Sequence, residues 1–163
     1  MTSPPALART FDAKLEFIFQ ARVDFANRLK FAPERSGIVR GFTGTAGGWV
    51  KGPLLNGRVI PNSGGDWPYF MPNGVVFFKA IYALEADDGT QILINNRGCR
   101  HAPPDVLAQM NAFEEIDPTT YYFRINPTFD VPAGPHEWLG RTIVVGGADR
   151  HKDHSIFTYY AMV

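Results

Sequence analysis

Between Gln91 and Pro104 (QILINNRGCRHAPP) an alternating strand runs into five polar side chains within seven residues: Asn95, Asn96, Arg97, Arg100 and His101. Side chains at i and i+2 of a strand share a face, so Asn95 and Arg97 project together while Asn96 points the other way. Two guanidiniums and an imidazole gather at the strand end, Gly98 allows close backbone approach, and Pro103 and Pro104 stop the pairing. That combination makes a prepared anion or carbonyl site. The same residues also read as a strand end with ordinary surface charges.

Other chemistries find little support. A metal site needs three or four converging ligands, and the histidines fall at 101, 136, 151 and 154. His151 and His154 have an H-x-x-H spacing, but Arg150, Lys152 and Asp153 around them mark a solvated turn, so no metal is expected. There is no G-x-S-x-G elbow, and Cys99 is alone, outside any C-x-x-C context. The cluster Gly44, Gly47, Gly48 lacks the Lys-Ser/Thr and the helix of a phosphate loop, and no G-x-G-x-x-G opens a helix. No cofactor is expected.

The elements that must position such residues are read from hydrophobic period. From Ala13 to Phe25 every odd position is apolar and the even ones are Lys14, Glu16, Ile18, Gln20, Arg22 and Asp24, which predicts a long amphipathic strand. After a basic connection, Asn27 to Arg35, come a strand over Ser36 to Thr43, a bend or bulge at the glycine cluster, and a short strand over Leu54 to Ile60. Asp66-Trp67 then opens a strand through Met71. Pro72-Asn73-Gly74 and Asp87-Asp88-Gly89 bracket an apolar strand that pairs with Gln91 to His101 as the expected centre of the sheet. The expected helix is Pro104 to Phe113, with Asp105 in its first turn and Val106, Leu107, Met110 and Phe113 at helical spacing. From Tyr121 to Val131 a second alternation puts Tyr121, Phe123, Ile125, Pro127, Phe129 and Val131 on one face and Tyr122, Arg124, Asn126, Thr128 and Asp130 on the other. Glu137 to Leu139 restart the chain after a break, and two strands, Arg141 to Gly147 and Ser155 to Met162, close it. Eight to ten strands with one short helix predict an all-β, closed antiparallel β-barrel rather than an open sheet with long bare edges.

The chain has 163 residues, 45% of them hydrophobic, the size and balance of one globular domain; a loose lead-in over residues 1–12 and a barrel over 13–163 are expected. Lys plus Arg and Asp plus Glu number 16 each, so there is no bulk field for nucleic acid, and the expected partner is a small molecule. No apolar run has the length of a membrane span or a signal peptide, and with one cysteine no intrachain disulfide can form, so the cytoplasm is the default compartment. The 22 aromatic rings exceed what a small cavity can bury, which favours symmetric pairing of two copies through an apolar outer strand.

Five motifs occur in order: GTAGGWVKGP, GGDWPYFMPNG, YALEADDGTQILINNRGCRHAPP, YYFRINPTF and WLGRTIVVGG. In them the chain resembles, from Leu15 to its C-terminus, a bacterial and fungal family catalogued as domain of unknown function 3237, or uncharacterised protein family 0311. The resemblance implies an antiparallel barrel of calycin-like or small-porin-like shape, generally soluble, with no activity established for the family as a whole. It matches the family's polar motif positions at Asp66, Trp67, Tyr82, Asn95, Arg97, Gly98, His101, Tyr122 and Arg124. It departs at Lys79 and Ile81, near which the family often has an acidic and a basic residue respectively.

What these residues can do without a cofactor is general acid–base chemistry. Asp66 is the candidate proton acceptor; Arg97, Tyr122 and Arg124 are candidates to stabilise an enolate or carboxylate; Trp67, Tyr82, Asn95 and His101 are candidate substrate contacts. Such a set suits isomerisation, hydration or dehydration, cyclisation or lyase cleavage beside a carbonyl of a small, largely apolar metabolite. The alternative is a barrel that only holds a ligand, with Asp66 paired to an arginine as a structural link.

Overall fold

A computed structural model describes residues 12–163, so most of the expected N-terminal lead-in lies outside the described residues. Among the described residues eleven strands form one large antiparallel sheet with a single α-helix: β1 (Leu15–Lys30), β2 (Val39–Lys51), β3 (Gly57–Val59), β4 (Gly65–Asp66), β5 (Tyr69–Phe70), β6 (Val76–Ala86), β7 (Gln91–His101), α1 (Pro104–Asn111), β8 (Tyr122–Ile125), β9 (Thr128–Asp130), β10 (Val144–Arg150) and β11 (His154–Met162). β2 pairs β1 on one side and the short β3, β4 and β5 on the other. Those three pair with β6, β6 with β7, β7 with β8 and β9, β8 with β10, β10 with β11, and β11 with β1. Among the described residues no helix is long and apolar enough to cross a membrane.

Prolines explain where expected strands are interrupted. The strand expected from Asp66 to Met71 is two short pieces split at Pro68, and the alternation from Tyr121 to Val131 is two strands split at Pro127, because a proline has no N–H for the ladder. Glu137 to Arg141 is a 3-10 turn, so the strand expected from Arg141 to Gly147 begins at Val144 and runs to Arg150. The expected helix ends at Asn111, before Phe113, whose φ of +59° is left-handed.

The glycine cluster does not end β2. The strand runs through it, while the register with β1 shifts between Asp24 and Phe25 and again before Arg28. Gly48, at φ +141°, lies so close to β1 that a Cβ there would strike the Arg22 carbonyl oxygen.

β1 itself departs from the uninterrupted alternation. Its register against β11 slips between Phe17 and Phe19, where Ile18 is an extra residue. Ile18 and Phe19 are both buried, and Leu15 and Phe17 face outward, 55% and 43% exposed, with Phe17 edge-on to Tyr160 at 6.0 Å.

The core lies on the inner face of the sheet. Phe19, Ala21 and Val23 of β1, Tyr82 and Leu84 of β6, Ile92 and Ile94 of β7, Phe123 and Ile125 of β8 and Tyr159 of β11 form one buried cluster. This packing fills one part of the interior and leaves a cavity of about 580 Å³ beside it.

Candidate functional site

The cavity is built where strand parity turns polar groups toward the apolar side. On β7 the inward positions are Ile92, Ile94, Asn96 and Arg100, with 0%, 0%, 2% and 6% exposure. Thr43, Asp66, Ala80 and Asn96 form one row across β2, β4, β6 and β7. With neighbouring strands about 4.8 Å apart, the Asp66 and Asn96 backbones stand about 10 Å from each other. Only the methyl group of Ala80 projects between them, and all four residues of this row except Ala80 are polar.

Asp66 has one oxygen fixed and a proton within reach of neutral pH. Its Oδ1 accepts from the Lys79 amide at 3.0 Å. Burial pushes the carboxyl up to about 6, against the pull of the Lys79 and Trp67 amides and, more weakly, of Arg100. Among the described residues no cation lies within 4.0 Å of it, so the structural ion pair weighed from sequence does not form.

At the deep side, Asn96 Nδ2 donates to the Tyr159 hydroxyl at 3.2 Å, while Asn96 Oδ1 and the Tyr82 hydroxyl are buried without a hydrogen-bond partner among the described residues. Asn96 and Tyr159 stand close enough to Tyr82 to act on its ionisation, yet neither completes a well-formed bond to its hydroxyl. Burial raises the Tyr82 phenol to about 12 and drives Tyr159 well above the usual phenol range, so both remain O–H donors at neutral pH. Unsatisfied buried groups of this kind cost about 1–3 kcal/mol each, and a ligand that bonds to them recovers that cost.

Arginines mark the other side. Burial lowers Arg100 to about 10, helped by the charge of Arg150, and its guanidinium sits 5.6 Å from the Phe78 ring and 5.9 Å from the Phe123 ring. Arg150 donates through Nη1 to the Met110 carbonyl at 3.0 Å, tying β10 to the end of α1, and Arg28 donates through Nη2 to the Lys152 carbonyl at 2.5 Å. Both arginines stack on Phe113, at 5.1 and 5.3 Å. Phe113 and Asn111 thus bring the helix end to the cavity.

Of the eight candidates read from sequence, Asp66 and Tyr82 line this cavity. The other six lie elsewhere, and the one-cavity arrangement expected from sequence is corrected accordingly. Asn95, Arg97 and His101 take the opposite parity of β7 from Asn96 and Arg100. Tyr122 and Arg124 take the opposite parity of β8 from the buried Phe123 and Ile125. Arg97, Tyr122 and Arg124 share a wide, shallow groove of about 1020 Å³ on the outer face, next to Cys99 and Gly98. His101 stacks on Tyr122 there at 4.8 Å, and Trp67, 45% exposed, packs on Phe42 at 4.5 Å. The outer groove is the larger space, but Arg97 and Arg124 in it are exposed, whereas the interior cavity brings the raised Asp66 carboxyl together with the buried, unpaired Tyr82 hydroxyl and Asn96 Oδ1. Asn96 and Arg100, which belong to the polar cluster read from sequence but not to the eight candidates, stand in the cavity, and the residues that sequence reasoning missed altogether are Arg150 and Tyr159. Among the described residues no three His, Cys, Asp or Glu side chains gather to hold a metal ion.

A family model described as "Protein of unknown function (DUF3237)" matches residues 13–162. A relative from Rhodopseudomonas palustris, named a UPF0311 protein, is 32% identical over 154 residues, 94% of this chain and 98% of the relative. The crystal structure of a protein of unknown function from the same species superimposes with a TM-score of 0.87 at 29% identity, over 95% of this chain and all of that one. A protein from Acinetobacter baumannii described as beta-barrel like superimposes at 0.83 with 28% identity, over 96% of this chain and 100% of that one. An enzyme from Penicillium herquei reaches 0.71 at 18% identity, over 97% and 100%, which is a likeness of fold.

Proposed function

For a chain that belongs to the family of proteins of unknown function DUF3237, also named UPF0311, we propose cofactor-independent acid–base catalysis inside a closed β-barrel, on a small, largely apolar molecule that carries a carbonyl. Barrel closure is supported by the ladder that leaves β1 through β2 and comes back to it through β11, and by the barrel-like description of the A. baumannii neighbour. The observation that carries the chemistry is Asp66: a carboxyl raised to about 6, facing an aromatic-lined cavity, with no cation bonded to it. A base in that range both accepts and returns a proton near neutral pH.

The remaining roles follow from charge. As Asp66 takes a proton beside a carbonyl, negative charge grows on the carbonyl oxygen, and Arg100 or the unpaired Tyr82 hydroxyl can donate to it. Return of the proton at another atom gives isomerisation; loss of a leaving group gives dehydration or lyase cleavage; capture by an internal nucleophile gives cyclisation. Ligand binding without turnover is the second reading, favoured by the backbone amides of Lys79 and Trp67, which hold the Asp66 carboxylate and oppose its protonation.

Solvent exchange separates the two. With 2-tetralone as an apolar ketone in D2O, loss of the α-proton NMR signals should be faster with the native protein than with Asp66→Asn by about a hundredfold or more. Equal rates for the two proteins would leave only the binding reading.

A further inference from the structure

The charges around the cavity do not balance, although those of the chain do. Lys plus Arg equal Asp plus Glu over the sequence, yet the cavity is lined by Arg28, Lys30, Arg100 and Arg150 against Asp66 alone. Among the described residues no carboxylate lies within 4.0 Å of Arg28, Arg100 or Arg150. Arg28 and Arg150 donate to neutral carbonyls, and the Arg100 side chain, 6% exposed, makes no hydrogen bond to any described residue. Its nearest aromatic faces are Phe78 and Phe123, which stack on each other at 4.7 Å.

A guanidinium keeps its proton at any physiological pH, so burial without an anion is a standing cost that neutralisation cannot relieve. Arg100 bears this cost in full, Arg150 is half-buried, and Arg28 is exposed and within the field of Asp153; Arg150 repels both of the others, and each of the three is held below the usual arginine range mainly by burial. An anionic group entering among them removes both penalties. The planar fork of arginine matches a carboxylate with two parallel hydrogen bonds. Phe70, Phe78, Phe123 and Phe157 in the same wall offer nothing to a hydrated inorganic ion and much to a flat carbon frame.

We propose that the cavity takes an apolar carboxylic acid, its carboxylate seated among Arg28, Arg100 and Arg150 and its carbon frame laid along the phenylalanines toward Asp66 and Asn96. This deepens the acid–base reading and rests on the same cavity. The anion is the handle that orients the ligand, and Asp66 acts at the frame. The two like charges, ligand carboxylate and Asp66, are kept apart by the arginines between them.

Calorimetric titration of the full chain with 2-naphthoate and with its neutral isostere 2-naphthamide tests it. Naphthoate should bind about tenfold or more tightly than the amide. Arg100→Met, which replaces the guanidinium by an apolar chain of similar shape, should weaken naphthoate by about ten- to a hundredfold and change the amide by less than about threefold. Arg150→Gln should shift the same preference in the same direction and decides the matter should Arg100→Met not fold. Equal binding of acid and amide, no binding of either, preference unchanged in the arginine variants, or displacement of naphthoate by equimolar inorganic phosphate would each overturn the proposal. The two readings fail separately. Asp66-dependent exchange of 2-tetralone without a naphthoate preference removes only the carboxylic acid, and a naphthoate preference with Asp66-independent exchange removes only the catalysis.

Discussion

Replacing Asp66 by Asn keeps the shape of the side chain and an oxygen to accept from the Lys79 amide, and removes the group that ionises. In the folded protein that carboxyl titrates at about 6 rather than the ordinary 3.8, a difference of about two units. At 1.36 kcal/mol per unit, ionising it in place costs the folded state about 3 kcal/mol. The sign follows from proton counting. Between pH 3.8 and about 6 the folded state holds a proton that the unfolded chain has released, so native stability falls as pH rises through that window and is level above it. The asparagine variant has no such term. Urea unfolding of both proteins from pH 4 to 8 should give a difference curve that moves in favour of Asp66→Asn by up to about 3 kcal/mol, with nearly all of the change complete by pH 7. A difference curve flat across that range would show that the carboxyl is not desolvated, and the acid–base reading would lose its basis.

Other substitutions separate the two faces of the sheet. Arg97→Ala and Arg124→Ala, on the outer groove, should each change stability by less than about 1 kcal/mol in the same urea assay and leave naphthoate binding within about twofold. Ala80→Leu places a branched side chain between Asp66 and Asn96, and calorimetry should show naphthoate binding lost while far-ultraviolet circular dichroism stays β-like. Gly48→Ala forces a Cβ into the Arg22 carbonyl at a left-handed φ and should lower stability by about 2 kcal/mol or more, read as a lower urea midpoint.

The strands of the fold were legible because their signals are periodic. β7 falls on the expected Gln91 to His101, and β6 and α1 lie within two or three residues of their expected bounds. The site was less legible, and one residue pair shows why. Arg97 and Arg100 are of the same type and three positions apart, so they point to opposite faces. Choosing between them needed the apolar face of the same strand: Arg100 and Asn96 share the parity of Ile92 and Ile94, whereas Arg97 shares that of the exposed Leu93. The same rule applies to β8, where Tyr122 and Arg124 oppose Phe123 and Ile125. Polar residues on the apolar parity were the signal, and density of polar residues was a distraction. Arg150 and Tyr159 carried no local signal, since their strands are brought to the cavity by long-range pairing of β10 and β11 with β8 and β1.

The extra residue in β1 has a consequence for how the strand tolerates changes of length. Deleting one residue from mid-strand ordinarily turns every side chain beyond the cut to the wrong face, like a shifted reading frame. At Ile18 the frame is already shifted. Phe17 faces out opposite Tyr160 and Phe19 faces in opposite Tyr159, as two adjacent residues of a regular strand would. Removing Ile18 therefore leaves both flanking faces in register with β11, and what is lost is one fully buried side chain, worth about 1.5–3 kcal/mol, and the carbonyl that accepts from the Leu54 amide at 3.2 Å. The longest strand of the sheet carries, near its start, a position where the chain can be shortened by one residue without being rewritten.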